Sequence, residues 1–135
     1  MRKRELQNML PKDKFDVMAV QKLENLEKEE LQLIFPEIIF WMSDANWPVA
    51  EPIVEILLKY PSILLPYLEK ILSMYETDDE LKYNSIMLLL PRLSMEIQRK
   101  LSTHVRRICE EPTENEIDGS YEIAQSYMKN MRDNN

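Results

Sequence analysis

Apolar residues recur at three- and four-residue spacing along most of the chain, and twice they close into a nearly unbroken run, Ile53 to Leu58 and Ile86 to Leu90. The spacing predicts amphipathic helices, and the two runs predict helices covered on several sides. A first helix is expected over residues 13–24, capped by Asp13, with Phe15, Met18, Ala19, Leu23 and Leu26 on one stripe. A second is expected over 28–42 through Leu31, Ile34, Phe35, Ile38, Ile39 and Met42, with Pro36 kinking or restarting it. The third opens at Asn46 as its cap with Pro48 in the first turn, and Pro52 one turn deeper is expected to bend it. Ile53, Val54, Ile56, Leu57, Leu58 and Tyr60 then surround its axis.

Tyr60-Pro61-Ser62 breaks the chain before a one-sided fourth helix with Leu64, Leu68, Ile71, Leu72 and Tyr75 on its stripe. Thr77 with Glu80 has the form of a capping box for a fifth helix, which Pro91 ends. The sixth, residues 94–110, carries Ile97, Leu101, Val105 and Ile108 on one side, and Gln98, Arg99, Ser102 and Arg106 on the other. Thr113 with Glu116 forms a second capping box for a seventh helix along Ile117, Tyr121, Ala124, Met128 and Met131. Gly119 inside it points to a close helix crossing or a frayed first turn.

An offset of 32 residues aligns Asn46 with Asp78, Val49 with Leu81, Val54 with Ile86, Leu57 with Leu89, Ser62 with Ser94 and Leu65 with Ile97. Each unit reads as a helical hairpin whose first member is doubly covered. The expected fold is therefore all-α, a short HEAT-like α-solenoid of stacked hairpins with six to seven helices; a compact orthogonal bundle is its rival. A single domain over residues 1–135 is expected, with 1–10 and 132–135 flexible.

One glycine among 135 residues leaves no material for glycine-rich phosphate loops, and eight prolines suit punctuated helices. Cys109 is the only cysteine, which excludes an internal disulfide and points to a reducing compartment. Met1-Arg2-Lys3-Arg4 is basic, but Glu5, Gln7 and Asn8 stand where a signal peptide needs an apolar core, and no apolar run spans a membrane. A cytoplasmic protein is expected. The net charge of −7 is banded: residues 24–58 carry eight acids against Lys28, and residues 92–107 carry Arg92, Arg99, Lys100, Arg106 and Arg107 against Glu96.

Catalytic constellations are missing from the sequence. His104 is the only imidazole, so two-histidine zinc and di-iron motifs cannot be assembled, and its five-residue spacing from Cys109 is wrong for a helical pair. Asp78-Asp79-Glu80 reads as first-turn acids facing a helix dipole sooner than as a cation site. No catalytic residue, cofactor or metal is expected, and the chain is read as non-enzymatic.

Binding is the better reading. Trp41 and Trp47 bracket a polar turn with Asp44 and Asn46, and indoles beside acids suit a protein or peptide surface; rings wedged between the second and third helices are the commoner arrangement, but this turn is the best binding candidate in the chain. Acidic rows that include Glu27 and Glu30 would select a basic partner. The pointed form of this reading is an immunity protein that neutralises a basic toxin. The alternative is a nucleic-acid or small-molecule acting helical-repeat protein using the basic band 92–107, similar in outline to helical-repeat DNA glycosylases; the net acidity opposes phosphate binding. Neither a membrane nor nucleic acid is the expected partner.

Leu10-Pro11-Lys12-Asp13-Lys14-Phe15-Asp16, Asp44-Ala45-Asn46-Trp47-Pro48-Val49-Ala50, Lys82-Tyr83, and Arg107-Ile108 with Pro112-Thr113 and Glu116 occur in an order that resembles the bacterial domain-of-unknown-function family 5071. The resemblance implies a small helical-repeat domain without an assigned activity, and it adds Lys82 and Tyr83 to the binding candidates. The family pattern flanks that pair with aromatic residues, where Leu81 and Asn84 stand here.

Overall fold

Residues 3–44 and 48–133 are described by a computed structural model, and every regular element among them is helical. Nine α-helices are described: α1 (Lys3–Gln7), α2 (Val17–Leu23), α3 (Lys28–Phe40), α4 (Ala50–Lys59), α5 (Pro61–Ile71), α6 (Asp79–Asn84), α7 (Met95–Glu110), α8 (Glu114–Ile117) and α9 (Ser120–Asp133). The chain divides into two compact units, Met1–Leu64 and Leu65–Asn135, with the division inside α5. Among the described residues no helix is long and apolar enough to cross a membrane.

In the first unit α1 packs on α3, and α4 takes both α2 and α3. Leu6, Val20, Leu23, Leu31, Ile34, Phe35, Ile38, Met42, Ile53, Val54 and Leu57 are buried there. Helix α1 falls in the stretch expected to be flexible; it is only five residues long, too short for apolar spacing to announce it, and is held by fully buried Leu6.

Helix α2 starts later than expected. Asp16 is its cap, with Oδ1 accepting the Ala19 N–H at 3.3 Å, while Asp13 Oδ1 accepts the Phe15 N–H at 2.9 Å and turns the chain before the helix. The buried stripe moves accordingly to Val20 and Leu23, and Phe15 and Met18 lie exposed.

The prolines prove less disruptive than their spacing suggests. Pro52 is the third residue of α4, where an N–H would have no partner within the helix, so the expected bend has no cause. Pro36 does remove an internal donor, yet α3 runs through it. Pro36 and Gln32, whose carbonyl it deprives, are both on the exposed side, where a carbonyl without a helical donor costs least. The expected cap Asn46 and the indole of Trp47 lie outside the described residues, as do Asn134 and Asn135 of the C-terminal stretch expected to be flexible.

In the second unit Leu68, Ile71 and Leu72 are buried as expected, but α5 ends at Ile71 and leaves Tyr75 85% exposed. Asp78, not Thr77, caps α6: its Oδ1 accepts the Leu81 N–H at 3.0 Å, and Glu76 Oε2 accepts the Asp78 N–H at 3.1 Å. A π-helical turn over Ser85–Leu89, in which the Leu90 N–H reaches the Ser85 carbonyl, precedes a 3-10 turn over Leu90–Arg92 that holds Pro91.

Helix α7 is capped by Ser94 and buries Leu101, Val105 and Ile108. Gln98, expected on its wet side, is buried; its Nε2 donates to the Leu93 carbonyl at 2.8 Å and its Oε1 accepts from the Tyr127 hydroxyl at 2.5 Å. Burial pushes the Tyr127 phenol up to about 12. Every described pair of the 32-residue alignment matches in burial: Val49 and Leu81, Val54 and Ile86, and Leu57 and Leu89 are buried, Ser62 and Ser94 exposed, Leu65 and Ile97 half-buried.

The expected seventh helix is two, α8 and α9, separated at Gly119. Asp79 at the start of α6 accepts the Ser120 N–H at 2.8 Å and the Ser120 hydroxyl at 2.5 Å, and so caps α9 from a different helix. A Cβ on Gly119 would stand 2.0 Å from Asp79 Oδ2, which identifies the glycine as the close crossing. Gly119→Ala is therefore expected to destabilise the protein by about 1–3 kcal/mol, as overpacking does. In an Asp79→Ala background the same change should cost much less; equal losses of midpoint in urea melts of both backgrounds would show that the contact is not the cause.

Candidate functional site

The two stretches richest in family-like residues meet in the first unit. The Val49 N–H donates to the Lys14 carbonyl at 3.3 Å, and the Lys14 ammonium lies 3.4 Å from Asp44. Asp16 Oδ2 also accepts the Lys12 N–H at 3.0 Å, so the loop 10–16 is held by its own acids. Beside it runs an open groove of about 510 Å³ lined by Leu10, Pro11, Pro36, Glu37, Phe40 and Trp41. Phe40 is 66% exposed, and Trp41 is half-buried. The Gln7 amide donates to Glu37 Oε1 at 3.0 Å, while Glu37 Oε2 is buried with no hydrogen-bond partner among the described residues. A second depression, of about 700 Å³, is lined by Asn8, Lys12, Phe15 and Met18 among others.

The acidic candidates divide in role. Glu30 Oε1 accepts the Glu27 N–H at 3.1 Å in the capping box that starts α3, so both residues have structural work as well as charge. Glu29 is exposed in the same turn. Trp41 and Asp44 thus stand near the groove and its loop, and Asn46 and Trp47 lie outside the described residues.

Lys82 and Tyr83 belong to a different place, the second unit. Lys82 is fully buried and spends all three ammonium protons: on the Ser73 carbonyl at 2.9 Å, the Glu76 carbonyl at 3.1 Å and Glu116 Oε2 at 2.6 Å. Arg107 meets Glu116 with both terminal nitrogens, at 2.6 and 2.8 Å, and also reaches the Leu72 carbonyl at 2.9 Å. The Thr113 N–H donates to Glu116 Oε1 at 2.8 Å, completing the expected capping box. The carboxylate therefore accepts four hydrogen bonds, about its full capacity. Lys82 offers no charge to solvent; Tyr83 is half-buried beside it in sequence.

Lys82 could have been found from the sequence, because it shares the helical face of Ser85, Ile86 and Leu89, all buried. Glu37 carried a weaker signal: it lies on one side of α3 with Leu33 and Phe40, both exposed. His104 and Cys109 are half-buried, and burial pushes the Cys109 thiol up, away from a reactive thiolate. Asp78 and Asp79 serve the caps already described.

Burial alone would push the Glu116 carboxyl up; the hydrogen bonds from Arg107, Lys82 and Thr113 and the charge of Lys82 outweigh it and hold the group at about 2, against an ordinary 4.5. Because the folded value is the lower one, the stabilisation is complete above pH 4.5 and is lost as pH falls toward 2. Glu116→Gln leaves Lys82 and Arg107 without a counterion and is expected to cost about 3–5 kcal/mol at neutral pH. Urea titrations across this range should show a slope in the wild type that the variant lacks; the same slope in both would assign it to other carboxylates.

No curated protein matches the chain. A family model does, over residues 9–128, and its span includes both the groove loop and the buried ionic cluster. The chain thus belongs to the family described as Domain of unknown function (DUF5071).

Proposed function

We propose that this chain is a non-enzymatic binding module that presents the groove face of its first unit to a protein or peptide. The observation that carries the reading is Phe40, a large aromatic 66% exposed at the rim of a groove that Trp41 also lines. Aromatic anchors in a concave apolar site are the usual centre of a protein interface. Glu29 and the rest of the acidic band, within a net charge of −7, favour a basic partner, and a secreted or injected basic toxin is its narrowest form.

A HEAT-like stacked array belongs to the same proposal. Its support is the equal burial of every described pair 32 residues apart, the pattern that a repeated hairpin produces. The nucleic-acid reading loses one member of its basic band, since Arg107 is committed to Glu116, while Arg99, Lys100 and Arg106 remain exposed.

Tagged full-length chain, crosslinked in its source cells, should retain one protein in the wild type and lose it by about tenfold or more in Phe40→Ser, as loss of an aromatic anchor does. Arg106→Glu should leave recovery unchanged. Recovery insensitive to Phe40→Ser but abolished by Arg106→Glu would overturn the assignment of the face and favour the basic band.

A further inference from the structure

We infer that the turn between α5 and α6 is a second docking surface, which takes an amphipathic, positively charged segment of another protein independently of the first-unit groove. Tyr75 is 85% exposed on this turn, and Met74 beside it and Ile117 of α8 are exposed as well. The turn and α8 are held to one point. The Lys82 ammonium donates to the Ser73 and Glu76 carbonyls at 2.9 and 3.1 Å, and to Glu116, the neighbour of Ile117, at 2.6 Å. Three exposed apolar side chains therefore stand on segments tied to a single buried ammonium. Apolar residues scattered singly over a surface are ordinary, whereas several brought together mark an interaction site.

The backbone beneath Tyr75 is fixed on every side. Arg107 donates to the Leu72 carbonyl at 2.9 Å, the Glu76 N–H reaches the Ser73 carbonyl at 3.3 Å, and the Asp78 N–H reaches Glu76 Oε2 at 3.1 Å. A buried ionic cluster adds little net stability over well-packed apolar residues, and what it supplies in their place is one defined geometry. That geometry includes this turn, so Met74 and Tyr75 are displayed on a backbone with little freedom left to lose when a partner arrives.

Charge selects the occupant. Residues 71–81 hold Glu76, Asp78, Asp79 and Glu80 and no cation, and residues 110–122 hold six acids and no cation. Of the cations nearest in sequence, Lys82 and Arg107 are paired with Glu116, and Lys70 is exposed. Glu80, Glu111, Glu114 and Asp118 are exposed too. Apolar side chains edged by acids fit a segment with leucine-like residues on one face and lysine or arginine on the other, and they repel an acidic one.

The probe is a peptide of three Leu-Lys-Lys-Leu repeats, blocked at both ends, whose apolar positions form one helical stripe. Two further peptides separate its features: glutamate in place of lysine keeps the stripe and inverts the charge, and serine in place of leucine keeps the charge alone. In isotopically labelled full-length protein, the lysine peptide should shift the Met74 and Ile117 methyl resonances saturably, and at least about tenfold more tightly than either comparison peptide. Tyr75→Ser, at a side chain exposed enough to leave the fold intact, should weaken that binding by about tenfold, as loss of an aromatic anchor does. Equal affinity of either comparison peptide, no saturable shift, or unchanged affinity in Tyr75→Ser overturns the inference. Shifts centred instead on Phe40 and Trp41 overturn it too, yet agree with the first-unit reading, so the two fail separately.

Discussion

A single carboxylate organises the second unit. Glu116 draws into one buried cluster the turn after α5, the first buried face of α6, the last turn of α7 and the cap of α8, through Lys82, Arg107 and Thr113. Buried charge is unfavourable unless its hydrogen bonds are complete, and here each proton of the ammonium and each lone pair of the carboxylate has a partner. Removing any member strands another, so the cluster acts as one object. That is why residues far apart in sequence, from Ser73 to Glu116, are tied to one arrangement of short helices that apolar contact alone would fix less sharply.

The first unit reaches order by other means. Its acids work locally: Asp13 and Asp16 shape a loop, and Glu30 closes a cap. The backbone of that loop is pinned to Val49, beside the groove. The second unit thus holds a buried, fully paired charge cluster, whereas the acids just named in the first unit are not buried.

The apolar runs, the Thr113 and Glu116 cap and the close approach at Gly119 were legible in the sequence because each depends on residues within about one helical turn or on backbone space. Caps with two eligible neighbours were not. Asp13 against Asp16, and Thr77 against Asp78, differ by which side chain the preceding turn orients toward the helix, and that is a three-dimensional matter. The burial of Lys82 was signalled by its helical spacing to Ile86 and Leu89, but its compensating carboxylate, 34 residues away, was not legible. Trp41 was legible as a candidate, while Glu37 was overlooked because its significance is a missing partner, which no residue pattern encodes.

The π-helical turn at Ser85–Leu89 fixes the length of this part of the chain. A widened turn is equivalent to one residue inserted into an α-helix, and each residue rotates the following side chains by about 100°. Deleting any one residue between Ser85 and Leu89 would restore a regular helix, yet Lys82 and Leu89 could then no longer face inward together. A change of length there turns the residues that follow it relative to the ionic cluster, so this segment is expected to accept substitutions more readily than insertions or deletions.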